Sequence, residues 1–160
     1  MRSSFTACLA ISLFLAPFPA FAGSVKQPVL TAKSAFIVNE NGGVLYSKNP
    51  HLRLPPASTT KVMTVVVALE RLPLNLQLVV SSRAAGVSPS KAGLTAGASY
   101  SVKELVLASL VSSSNDAAVT LAEGVAGTET AFAQLMNKKA AELGMKNTRF
   151  VNATAPTDTK

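Results

Sequence analysis

At 160 residues the chain is the size of one domain or part of one. It is 48% hydrophobic and 14% charged, which excludes a disordered tail and leaves ample material for a packed core. The formal net charge of +7 is scattered, Lys138-Lys139 being the one adjacent basic pair, and tryptophan is absent. That pattern argues against a nucleic-acid surface, while a mildly basic face remains compatible with an anionic polymer or peripheral membrane contact.

The N-terminus reads as a targeting segment over residues 1–22. Arg2 precedes an apolar run from Phe5 to Phe21, broken by Pro17 and Pro19, and Ala20-Phe21-Ala22 has the small-x-small form of a cleavage site. The run is short beside the roughly 20 residues of a membrane span. Cys8, the single cysteine, falls inside it, so the mature chain would hold no thiol, no disulfide and no cysteine-held metal. The expected location is the periplasm or cell envelope, outside the inner membrane.

A flexible lead follows over 23–31, then a partial domain over 32–155 and a polar tail over 156–160. Ala35-Phe36-Ile37-Val38 reads as a buried strand and Val44-Leu45-Tyr46 as a second, joined by Asn39 to Gly43 in an antiparallel hairpin. His51 to Pro56 is a prolyl linker. The spacing of Val62, Val65, Val66 and Leu69 predicts a helix from about Thr59 to Leu69. Leu76 to Val80 is the best strand in the next stretch, and Ala84 to Tyr100 reads as turns and loop.

Ser101 with Glu104 forms a capping box opening a helix that is apolar around much of its circumference and therefore expected to be central. Ser112 to Asn115 breaks it. A short helix is expected from about Asp116 to Glu123, with Gly124 and Gly127 separating it from a third. Thr128 caps that third helix, whose apolar face is Phe132, Leu135, Met136, Ala140 and Leu143. No later strand joins the first hairpin, and a lone hairpin is marginal, so the chain reads as incomplete on physical grounds.

Two constellations could carry chemistry. In Ser58-Thr59-Thr60-Lys61, Ser58 sits at the positive end of the predicted helix with Lys61 one turn on. A desolvated, neutral lysine can take a proton from a serine hydroxyl. The spacing alone is equally compatible with Ser58 as a helix cap and Lys61 as an exposed first-turn residue. In Ser113-Ser114-Asn115, the polar break could project Ser113 as a proton relay and the Asn115 amide as a group that holds a substrate peptide and helps position Lys61. A plain helix junction is the competing account. His51, the only histidine, reads as a surface residue with no acid beside it, and zinc is disfavoured.

Taken together, several ordered segments resemble one family. Leu52 to Thr64, containing Pro55-Pro56-Ala57-Ser58-Thr59-Thr60-Lys61, is similar to the nucleophile segment of the low-molecular-mass penicillin-binding proteins, the D-alanyl-D-alanine carboxypeptidases of peptidase group S11. Ser113-Ser114-Asn115-Asp116-Ala117-Ala118 resembles their second motif. Ala32 to Lys48, Ala84-Ala85-Gly86-Val87 and Leu143 to Asn152 match in order. The resemblance implies an α/β (α+β) serine β-lactamase/D,D-peptidase-like fold, truncated before the C-terminal strands of the central antiparallel sheet.

It further implies that Ser58 is the nucleophile, Lys61 the general base, Ser113 the proton relay and Asn115 a substrate-binding group. The implied partners are peptidoglycan stem peptides ending in D-Ala-D-Ala, with β-lactams as covalent inhibitors and no metal or organic cofactor. A serine β-lactamase is the enzyme alternative, although no class A glutamate segment follows Asn115. A non-catalytic cell-wall-binding module is the other.

The departure from the family pattern is its third motif, Lys-Thr-Gly or a close relative, which the sequence does not contain. Where the family commonly has glycine after Asn152-Ala153-Thr154, this chain has Ala155-Pro156. Loss of one oxyanion donor costs about 3–4 kcal/mol. The expectation is therefore little or no turnover by the isolated chain, whether it is a truncated gene product or is completed by a complementing C-terminal fragment. Substantial D-alanine release by purified material of this length would overturn that expectation.

Overall fold

The computed structural model describes residues 28–155. The export segment and its cleavage site lie outside them, as does the tail. The chain divides into two compact units, Met1–Leu52 and Arg53–Lys160.

In the first unit, β1 (Ala35–Val38) pairs antiparallel with β2 (Val44–Lys48), with a register shift between Ile37 and Val38. The side chain of Asn39 builds the turn by accepting from the backbone N–H groups of Asn41 and Gly43. The hairpin forms where its turn residues predict. Its first strand is not buried, however: Phe36, Ile37 and Val38 stand about half exposed. A two-stranded ribbon has no element of its own to cover either face.

The second unit is helical with one short ribbon. A 3-10 turn over Ala57–Thr59 leads into α1 (Thr60–Leu69). Strand β3 (Gln77–Val79) pairs with β4 (Ser99–Ser101), and α2 (Ser82–Gly86) lies between them in sequence. Periodicity did not reveal α2 or β4. The Ser81 hydroxyl starts α2 by accepting from the Ala84 N–H, and β4 exists through pairing with a strand about 20 residues earlier in the chain. Then come α3 (Val102–Val111), α4 (Asn115–Ala126) and α5 (Glu129–Glu142). The capping box of Ser101 and Glu104 and the Thr128 cap are both formed.

The centre of this unit is α4, not α3. Asn115 through Ala122 are all buried, and α1, α2, α3 and α5 all contact α4. Small side chains (Ala117, Ala118, Ala122) let helices approach on every side. On α3, Val102, Leu105 and Ser109 face inward, while Val111 is 81% exposed and Leu107 and Leu110 about half exposed. The expected break at Gly124 is also absent, because α4 continues through it. A Cβ there would lie 2.6 Å from Leu78 Cδ1, so glycine lets β3 pack close against the helix. At the end of α5, Leu143 is the C-cap and is 60% exposed, leaving Phe132, Met136 and Ala140 as the buried face.

Two apolar clusters clamp α1. Met63 and Val67 pack with Ala122, Phe132, Met136, Ala140, Phe150 and Ala153. Val65 and Ala68 pack with Val102, Leu105, Ala117 and Leu121. Among the described residues no helix is long and apolar enough to cross a membrane.

The segment after Phe150 is pinned by side chains from two helices. Thr64 donates to the Ala153 carbonyl at 2.6 Å, and the Ala153 N–H donates to Glu129. Asn152 Oδ1 accepts from the N–H groups of Thr154 and Ala155, which holds Ala155 at φ +109°. An alanine there is strained by an amount of order 1–3 kcal/mol. Ala155→Gly is expected to raise stability by about 1 kcal/mol, strain relief outweighing the greater freedom of glycine in the unfolded chain. Urea denaturation midpoints check this; an unchanged or lower midpoint would contradict it.

Candidate active site

Ser58 sits in the 3-10 turn, one residue before the α1 N-cap. The α1 N-cap is Thr59, whose hydroxyl donates back to the Pro56 carbonyl. Ala57 is held at φ +46°, which bends the chain just before the serine. Lys61 follows in the first turn of α1 and is only 2% exposed. Its Nζ lies 3.3 Å from Ser58 Oγ and 3.4 Å from Ser113 Oγ.

The local sequence explains how Ser113 reaches a residue 52 positions earlier. Helix α3 ends at Val111 with Ser112 as its C-cap, Ser113 takes φ +54°, and the Ser114 N–H donates to the Ala108 carbonyl before α4 begins. The left-handed residue turns the chain sharply between α3 and α4. Lys61 thus bridges hydroxyls from two separate elements.

Burial pushes the Lys61 amine below the ordinary lysine value of 10.5, because desolvation penalises the charged form. Among the described residues Lys61 makes no ion pair. A lysine held among hydroxyls with no counter-charge gives up its proton more readily than a free one, and the neutral amine can accept a proton.

Asn115 makes no hydrogen bond to Lys61 among the described residues. Its Nδ2 donates to the Pro89 carbonyl at 2.7 Å, and its backbone N–H donates to the Ser90 carbonyl at 2.7 Å. It is therefore tied to the loop after α2, and Lys61 draws its hydrogen-bond partners from the two serines instead. Asn115 Oδ1 is buried and, among the described residues, has no hydrogen-bond partner. His51 is exposed.

One residue was missed as a site element. Asp116 is fully buried, and its carboxylate accepts from the backbone N–H groups of Ala92, Gly93, Leu94 and Ala117. The signal was an acid set directly before Ala117-Ala118 in a helix otherwise destined for the core. A charge at such a position needs partners, here supplied by a glycine-containing loop. Among the described residues no cluster of three or more metal-binding side chains exists.

The site therefore consists of a buried amine joining two hydroxyls from separate elements of an α-helical core. Residues 22–159 match the family model described as D-alanyl-D-alanine carboxypeptidase, peptidase S11, and the chain belongs to that family. It is 41% identical over 133 residues to the D-alanyl-D-alanine carboxypeptidase DacF of Bacillus subtilis (strain 168), covering 79% of this chain and 34% of that one. It is also 41% identical over 139 residues to a D-alanyl-D-alanine endopeptidase of Pseudomonas aeruginosa, covering 85% and 45%. The crystal structure of a D-alanyl-D-alanine carboxypeptidase from Mycobacterium tuberculosis H37Rv superposes with a TM-score of 0.77 at 34% identity, covering 83% of this chain and 50% of that one. The fold is therefore the α/β fold of the D,D-peptidases, and the chain spans about a third to a half of the length of these relatives.

Proposed function

We propose that this chain carries the acylating machinery of an exported, serine-type D-alanyl-D-alanine carboxypeptidase acting on peptidoglycan stem peptides. The supporting observation is the single contact set of Lys61 with Ser58 and Ser113. Neutral Lys61 takes the Ser58 proton as Oγ attacks the carbonyl of the terminal D-Ala-D-Ala bond. The proton passes from Lys61 through Ser113 to the leaving amine, the C–N bond breaks and D-alanine departs. The Asn115 amide holds a peptide group of the bound substrate. Water then hydrolyses the ester and regenerates Ser58. A β-lactam enters by the same attack, its ring C–N bond taking the place of the scissile bond. The export segment read from the sequence puts this chemistry in the compartment of the cell wall, outside the inner membrane.

Labelled penicillin is the direct test. The parent chain should form a covalent adduct at Ser58, and Ser58→Ala should lower the labelling rate about 10³-fold or more. An adduct that persists undiminished in Ser58→Ala would sink the assignment. D-Alanine release is read separately, because turnover requires the acyl-enzyme to be hydrolysed as well as formed, and each step passes through an oxyanion. A peptide ending in D-Ala-D-Ala beside a cross-linked one reports which bond is cut, a necessary arm given equal identity to a carboxypeptidase and an endopeptidase.

A further inference from the structure

The loop Pro89–Gly93 is exposed along its whole length, and the first apolar anchor after it is the half-buried Leu94. Such a segment has little burial of its own to fix it. Together with Leu94 it is nevertheless tied to the start of α4 by five hydrogen bonds. Asn115 donates twice, to the carbonyls of Pro89 and Ser90. Asp116 accepts three times, from Ala92 at 3.0 Å, Gly93 at 2.9 Å and Leu94 at 3.0 Å. The fourth donor to Asp116 is Ala117 of its own helix, at 2.9 Å, which fixes the carboxylate plane.

We infer that Asp116 is a positioning residue: its buried carboxylate staples the loop 89–94 onto α4, and the stapled loop in turn fixes the orientation of the Asn115 side chain, on which substrate binding depends. The inference rests on the catalytic reading of Ser58, Lys61 and Asn115 given above. Three consecutive N–H groups converging on one carboxylate make an anion nest, and only an acceptor-only group satisfies all of them at once. Asp116 Oδ1 takes Ala92 and Ala117, and Oδ2 takes Gly93 and Leu94. An asparagine would turn an NH2 toward two backbone donors whichever way its amide faced. The loop would then come loose from the site side of α4, taking with it the Pro89 carbonyl that holds Asn115. Ser58 and Lys61 lie in the α1 segment and Ser113 in the α3–α4 turn, so none of the three is carried by this loop.

The division of labour is testable in the full chain with a fluorescent penicillin, by separating the dissociation constant of the initial complex from the acylation rate constant. Asp116→Asn should weaken initial binding about 10-fold or more, the scale of a lost buried hydrogen-bond set, while the acylation constant stays within about 3-fold. Gly93→Ala tests the same joint from the loop side. Gly93 has φ +80° and open space around its Cβ position, so the substitution strains the stapled loop without crowding the core. It should weaken binding in the same sense, by about 3-fold or more.

Thr128→Ala, which removes the α5 cap, is the control for general destabilisation and should leave both constants unchanged. Without any β-lactam, hydrogen exchange should find the amides of Ala92, Gly93 and Leu94 protected about 100-fold or more in the parent and released in Asp116→Asn. Free exchange of those amides in the parent, unaltered binding in both loop variants, or equal weakening by Thr128→Ala would each overturn the staple. Should Asp116→Asn fail to fold, Gly93→Ala decides. A parent chain that is not acylated at all would remove the catalytic reading, while the exchange measurement would still decide whether the staple exists.

Discussion

Lys61→Met is expected to lower the acylation rate of Ser58 by about 10²–10⁴-fold, the range for loss of a general base, while leaving the fold at least as stable as the parent. The two halves have one cause. Lys61 is 2% exposed and has only hydroxyl partners at its amine, so the fold bears the desolvation of a cation without a counter-charge. Methionine keeps the length and the flexibility of the stem and removes the charge. Stopped-flow labelling and thermal unfolding of the same preparations read both halves. A variant that acylates at the parental rate would remove Lys61 from the mechanism.

The same burial sets the sign of the pH dependence. The folded pKa of Lys61 is lowered from 10.5, so between the folded value and 10.5 the unfolded chain binds the extra proton. Stability therefore rises with pH across that window. Below the folded value the amine is charged in both states, and the full destabilisation persists. Acylation should climb with pH through the same lowered pKa and then level off as the amine becomes neutral. Lys61→Met should abolish the Lys61 contribution to both trends.

Phe132→Ala should cost about 3–5 kcal/mol, the largest stability loss expected from a single truncation in this chain. Phe132 is fully buried in the cluster that joins Met63 and Val67 of α1 to Met136 and Ala140 of α5. The surrounding helices can close only part of the space it vacates. A midpoint drop on the order of 10 °C follows, read by circular dichroism. Because α1 carries Lys61, labelling by penicillin should weaken at temperatures where the parent is still fully active. Val111→Ser is the contrast: Val111 is 81% exposed, and its change should stay within about 0.5 kcal/mol. Equal losses at the two positions would mean that the cluster is not the core.

That contrast also separates what could be read from the chain from what could not. The hairpin, the capping box at Ser101, the Thr128 cap and the polar break at 112–115 were legible because each is set by residues within four or five positions of one another. The nucleophile segment was legible for the same reason: Ser58 and Lys61 are three residues apart and the turn that joins them is local. By itself, then, the sequence determined the local elements and the residue types that the reaction needs, and the ordered run of motifs determined the family.

The centre of the molecule was decided by tertiary packing. On hydrophobicity α3 is the better core helix, yet α4 occupies the centre because its alanines admit neighbours on all sides. Gly124 reads as a helix breaker, yet α4 runs through it, and its lack of a side chain leaves room for Leu78, 46 residues earlier in the chain. The meeting of Lys61 with Ser113, the turning of Asn115 toward Pro89 and the four donors around Asp116 each join separate parts of the chain, apart from the one contact within α4. A buried polar group takes whichever partner the fold brings within about 3 Å, and burial makes leaving it unsatisfied costly. Which partner that is depends on how the helices pack, a property that no local pattern of residues encodes.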